Sequence, residues 1–114
     1  MYGAEPKLRD VTLQSLAKGE VAIIEDTSKT LADGLRTNIS KTAFQILQKN
    51  LSKVVLASDE GIRKAMRLIY ERLKIVVCPS GALPIAAILE NPEEFKGKRV
   101  GVVLTGGNLE LKDF

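Results

Sequence analysis

Thr105, Gly106, Gly107 and Asn108 follow directly on a five-residue apolar run, Val100 to Leu104. The Thr105 hydroxyl and the Asn108 side-chain amide can both hydrogen-bond a ligand. The run before them has the length and β-branched content of a buried strand. The two glycines let the backbone turn sharply and let a ligand come close. Ligands of open α/β sheets bind beyond the carboxyl ends of strands, which is where this turn is expected to lie. Three more positions carry chemistry: the turn pair Asp33-Gly34, the carboxylate of Glu5 and the thiol of Cys78.

Composition excludes several kinds of chemistry. The 114 residues include no histidine, so neither a histidine metal site nor histidine acid–base chemistry is expected. One cysteine allows no internal disulfide. The net charge of +3 comes from 17 basic and 14 acidic residues scattered along the chain, so no nucleic-acid partner is expected. No apolar stretch approaches the ~18 residues of a membrane span. Met1 to Glu5 lacks the basic and apolar regions of a signal peptide, so the expected location is cytoplasmic.

Alternating elements must position these residues. Met1 to Pro6 ends a strand. Lys7 to Lys18 reads as a helix, with Leu8, Val11, Leu13 and Leu16 apolar and Gly19 as its stop. Glu20 to Asp26 reads as a short strand, and Thr27 to Ser40 mostly as a loop. Lys41 to Gln48 reads as a helix and Lys53 to Ala57 as a strand. The clearest helix is Asp59 to Leu73, where Ile62, Ala65, Met66, Ile69 and Leu73 share one face. Ser58 is its N-cap, and Asp59 and Glu60 sit where the helix dipole favours anions. Ile75 to Val77 leads into a turn, Cys78-Pro79-Ser80-Gly81. A mostly buried helix follows over Ala82 to Leu89, with Pro84 in or just past its first turn. Asn91 to Glu94 starts another helical turn. The alternation indicates an α/β fold with no linker to divide it.

Four segments, in order, resemble the serine racemase and serine/threonine dehydratase family of pyridoxal phosphate (PLP) enzymes. They are Gly3-Ala4-Glu5-Pro6, Thr30-Leu31-Ala32-Asp33-Gly34-Leu35, the stretch from Leu56-Ala57-Ser58-Asp59-Glu60 to Cys78-Pro79-Ser80-Gly81-Ala82, and Gly97-Lys98-Arg99-Val100 through Asn108. The resemblance implies a three-layer open twisted sheet with helices on its faces. That sheet is part of the large domain of fold-type II PLP enzymes. Residues 1–114 then form a single partial domain, roughly the carboxyl-terminal third of a dehydratase. The family's Schiff-base lysine, in a Ser-Phe-Lys segment, and its glycine-rich phosphate cradle have no match in these residues.

The resemblance also implies roles. Thr105 meets the pyridine nitrogen of PLP, with Gly106 and Asn108 in the same turn. A hydroxyl there leaves the nitrogen largely neutral, which suits prompt β-elimination, whereas an acid would keep it protonated. The other reading of Thr105 is a side chain bonded into its own turn. Gly34 backs onto the cofactor ring, and Asp33 lies near the substrate mouth. Cys78 stands where the family usually has a glutamate that borders the cofactor; a small buried filler is the alternative. Glu5 resembles a ligand for Mg²⁺ or Ca²⁺. The family's second carboxylate, six residues on, is Val11 here, Asp10 is one step short, and Arg9 offers only a backbone carbonyl. A solvated carboxylate is the other reading of Glu5.

These roles lead to one functional expectation. The chain is part of a PLP-dependent dehydratase or serine racemase, supplying one wall of the cofactor site and no catalytic base. Its substrate is a small amino acid, turned over only in the complete enzyme. Its partner is the missing upstream segment or a second copy, and uncovered sheet edges favour a homo-oligomer. The alternative is a non-catalytic interaction module that keeps the fold.

Overall fold

The computed structural model describes residues 1–25 and 29–114. It opens with strand β1, Tyr2–Pro6, followed by helices α1, Val11–Lys18, and α2, Lys41–Asn50. Strand β2, Lys53–Ala57, comes next, then helices α3, Asp59–Leu73, α4, Pro79–Glu90, and the single turn α5, Pro92–Phe95. One 3-10 turn spans Asp33–Leu35 and another Leu111–Asp113. The two strands pair in parallel, Tyr2 opposite Lys53 through Pro6 opposite Ala57. Helix α4 packs on both strands and on α3. The class is therefore α/β, as expected.

Each element has a local cause. In α3, Ile62, Ala65, Met66 and Ile69 are buried on one face. The Ser58 hydroxyl accepts the Gly61 amide at 3.0 Å and caps it. Lys74 closes it in the left-handed conformation, φ 59°. Helix α4 meets α3 and the strands through Ala82, Leu83, Ala86 and Ala87, all buried. Three alanines let the backbones come close and keep the core thin.

Several expected elements differ, each for a physical reason. Helix α1 begins at Val11 rather than Lys7 because the Lys7 amide is still bonded to the Ala57 carbonyl, 2.8 Å away. Its end at Gly19, φ 76°, is as expected. No strand forms over residues 21–25; Asp26, Thr27 and Ser28 lie outside the described residues. Side chains take the backbone groups that a ladder would need. Ser15 Oγ accepts the Ala22 amide and Asn38 Oδ1 accepts the Ile24 amide. The Arg9 guanidinium donates to the Ile24 and Glu25 carbonyls. Helix α4 starts three residues before the expected Ala82, because Pro79 at its first position has no N–H to lose and its φ suits a helix. Val100 to Leu104 forms no strand, and Val103 is 76% exposed.

The α3 and α4 ends are tied together by Glu90. Its carboxylate accepts the Ser58 amide at 3.0 Å and the Ser58 hydroxyl, and pairs with Lys7 at 3.4 Å. Partial burial pushes this carboxyl up, but the Ser58 donors and Lys7 outweigh it, so its pKa lies below the ordinary glutamate value. A carboxyl lowered on folding stabilises the protein above its unfolded pKa, and that stabilisation fades as pH falls through the lowered value. Glu90→Gln should thus cost up to about 1 kcal/mol at about pH 7 and almost nothing at about pH 3. Urea midpoints at the two pH values check this; an equal gap at both would contradict it.

Candidate cofactor site

The loop from Thr30 to Gly34 lies at the carboxyl end of β2, and the first residues of α3 hold it there. Asp59 Oδ1 accepts the Thr30 hydroxyl and Oδ2 accepts the Leu31 amide, each at 2.7 Å. Arg36 closes the far side, donating from Nε and Nη2 to the Thr30 carbonyl at 3.0 and 2.7 Å. Thr30 and Ala32 are fully buried. Asp33 Oδ1 accepts the Gly34 amide at 2.8 Å. The Ser80 hydroxyl, from the first turn of α4, accepts the same amide at 3.2 Å. A Cβ on Gly34 would stand 3.1 Å from Ser80 Oγ, a tight approach that the Ser80 side chain would have to ease.

The 105–108 turn arrives from the other side. The Cys78 amide donates to the Gly106 carbonyl at 3.2 Å, and the Cys78 thiol to the Thr105 carbonyl at 3.5 Å. Gly106 has φ 67°, the left-handed region that favours glycine, and a Cβ there would sit 2.9 Å from Cys78 Sγ. A Cβ on Gly81 would overlap the Thr105 carbonyl at 1.7 Å. The glycines therefore let the chain approach itself. Cys78 is half-buried and stands at the N-cap of α4, not inside the core as a filler. Gly34, Cys78, Thr105 and Gly106 thus converge on the first turn of α4.

Asp33 and Asn108 line one cleft of about 330 Å³, together with Pro79, Arg36 and Lys112. The Thr105 hydroxyl takes no hydrogen-bond partner among the described residues, so it is not bonded into its own turn. It is exposed and available to a ligand. An unengaged hydroxyl beside a fixed backbone wall fits the nitrogen edge of an aromatic ring such as that of PLP.

Glu5 and Arg9 lie away from this cluster. Glu5 is buried, and its two oxygens accept the Thr12 and Leu13 amides at 2.8 and 3.0 Å, which caps α1. The solvated reading of Glu5 is thereby corrected. Asp10 accepts Gln14 Nε2 instead of joining Glu5. Arg9 is 2% exposed, and its guanidinium also donates to Asn38 Oδ1 at 3.0 Å. Among the described residues, no three His, Cys, Asp or Glu side chains are grouped to hold a metal ion.

Sequence reasoning missed Asp59 and Ser80 as parts of the site. Their bonds to the loop span 28 and 46 residues. Asp59→Ala should free Thr30 and Leu31. Leaving these two donors without their charged acceptor costs about 2–4 kcal/mol of stability. Chemical denaturation of the variant checks this, and a loss under about 0.5 kcal/mol would contradict the clamp.

Comparison with known proteins gives the family of the chain. A family model described as pyridoxal-phosphate dependent enzyme matches residues 1–106. The chain belongs to this family. A β-hydroxyaspartate dehydratase of Paracoccus denitrificans is 44% identical over 111 residues, which cover 97% of this chain and 35% of the relative. Among solved structures, maize serine racemase superposes with a TM-score of 0.89 at 32% identity, over 97% of this chain and 35% of that one. A T.th. threonine deaminase gives a TM-score of 0.85 at 35% identity, over 96% of this chain and 40% of that one. The chain thus spans about a third of the length of these PLP-dependent relatives, and its fold matches part of their large domain. Among the described residues no helix is long and apolar enough to cross a membrane.

Proposed function

We propose that this chain is one portion of a PLP-dependent ammonia-lyase or racemase acting on a small β-hydroxy amino acid such as serine, threonine or 3-hydroxyaspartate. It supplies one wall of the cofactor site and no catalytic base. The observation that carries this reading is the convergence of Gly34, Cys78, Thr105 and Gly106 on the start of α4, with the Thr105 hydroxyl unengaged. When bound, PLP supplies an electron sink for the bonds at the amino acid's α-carbon. Thr105 would keep its proton on Oγ1 and would offer it in a hydrogen bond to an acceptor nitrogen of the bound cofactor, so the chemistry supplied there would be that of a neutral nitrogen. Gly34, whose amide is held by Asp33 and Ser80, would offer bare backbone to a flat cofactor ring. Cys78 fastens the Thr105 carbonyl and so aims the turn. Asp33 and Asn108 border the cleft through which a charged amino acid would enter.

The test is restoration. This chain is produced together with the portion of the Paracoccus denitrificans β-hydroxyaspartate dehydratase that it does not match. The pair should retain PLP and release a 2-oxo acid and ammonia from a hydroxy amino acid. A pair that assembles yet retains no PLP would refute the reading and leave a non-catalytic interaction module.

A further inference from the structure

Arg9 is a cation in the interior of the fold. A buried charge persists only where polar atoms replace the water it has lost. Three oxygens do so here. Arg9 Nη1 donates to the Glu25 carbonyl at 3.2 Å, and Nη2 to the Ile24 carbonyl at 3.3 Å and to Asn38 Oδ1 at 3.0 Å. These oxygens lie 15 to 29 residues further along the chain. The Arg9 backbone is itself fixed to the end of β1, because its amide donates to the Pro6 carbonyl at 2.9 Å. One side chain thus gathers residues 24, 25 and 38 onto the junction of β1 and α1. Asn38 Oδ1 also accepts the Ile24 amide at 3.2 Å, which closes the cluster.

The resemblance to the dehydratases implies a Mg²⁺ or Ca²⁺ ion on Glu5 at this same junction, and the residues present do not fit one. Such ions take about six to eight oxygen ligands. Both Glu5 oxygens face N–H donors instead, the Thr12 and Leu13 amides in the first turn of α1. That turn is the positive end of the helix dipole. Val11 stands where the family has its second carboxylate, is 3% exposed and carries no side-chain oxygen. The Asp10 carboxylate accepts Gln14 Nε2. The guanidinium of Arg9, four residues from Glu5, adds a charge that repels a second cation.

We propose that Arg9 takes the place of the divalent cation, as a fixed internal charge that ties residues 24, 25 and 38 to the start of α1. A guanidinium suits this task because its N–H groups form a rigid fork that can hold several carbonyl oxygens at once. The stability of the chain is then independent of Mg²⁺ and Ca²⁺. None of Glu5, Arg9 and Asn38 lines the cleft bordered by Asp33 and Asn108, so this assignment stands apart from the cofactor reading.

The experiment reads the thermal midpoint of the chain by circular dichroism in EDTA, in millimolar MgCl₂ and in millimolar CaCl₂. An ion held only by the folded state would raise the midpoint. The three midpoints should instead coincide within about 1 °C. Arg9→Met removes the charge and keeps an apolar stem. Its midpoint should fall by at least about 5 °C, alike in all three solutions. Asn38→Ala is the milder variant, at an exposed residue. It takes one acceptor from Arg9 and the partner of the Ile24 amide, which should exchange at least about tenfold faster, again with or without the ions. A rise of several degrees with Mg²⁺ or Ca²⁺ over EDTA would overturn the proposal. So would an Arg9→Met chain as stable as the parent, or an Asn38→Ala chain whose Ile24 amide exchanges at the parent rate.

Discussion

Given PLP and serine, threonine or 3-hydroxyaspartate, the 114-residue chain by itself should form no more 2-oxo acid than free PLP does. The reaction needs a group that joins the cofactor covalently and moves the α-proton, and no lysine here lies in a Ser-Phe-Lys segment. Lys7, Lys53, Lys64 and Lys112 are instead paired with Glu90, Glu94, Glu60 and Glu110 on the surface. Neither is there a glycine-rich loop to cradle the phosphate. Enzymes of ordinary power accelerate reactions by about 10⁶-fold or more, and most of that should appear only when the complementary portion is added. Coupled assay of 2-oxo acid, with and without that portion, reads the difference. Turnover by the chain alone near the rate of the pair would contradict the assignment of no catalytic base to these residues.

In the restored pair, three substitutions at Thr105 should separate cleanly. Thr105→Ser keeps a hydroxyl and should keep most activity. Thr105→Ala removes the partner of the ring nitrogen and should cost about 1–3 kcal/mol, or about 5- to 160-fold in rate. Thr105→Asp supplies an acid, which should protonate the nitrogen and divert product from elimination toward reprotonation or transamination. The series is interpretable because the turn is held by the Thr105 carbonyl, against Gly81 and the Cys78 thiol, and not by its side chain. Product ratios across the three variants are the measurement. Identical ratios and rates would show that Thr105 does not touch the ring.

The sequence was most legible where a signal is local. Helix α3 runs from Asp59 to Leu73 and β2 from Lys53 to Ala57, both as expected, because capping, dipole and periodicity act within a few residues. The start of α1 was misread because Lys7 is claimed by a strand 50 residues away. Of the expected strand over 20–26, the described residues 21–25 form none because Arg9, Ser15 and Asn38 satisfy their backbone from a distance. Val100 to Leu104 carries strand composition, but a strand forms only with a neighbour. In the site, Thr105, Gly106, Cys78 and Gly34 stood out by type and motif, and the fold brings them together. Asp59 looked like a helix-dipole anion and proved to be the loop's anchor as well. Glu5 resembled a metal ligand by its motif, and its oxygens accept two amides at the start of α1. Both depend on contacts that no short window of residues contains.

A Thr105 hydroxyl that faces the ring nitrogen of a bound PLP sets how that nitrogen titrates. The most direct measurement is the visible absorption spectrum of the purified pair, with Thr105 and with Thr105→Asp, across neutral to alkaline pH. Both forms should retain PLP. The Asp form should shift the absorption band and its pH dependence, because the ring nitrogen is then held protonated. Retained PLP with superimposable spectra in the two forms would show that Thr105 does not face the ring nitrogen.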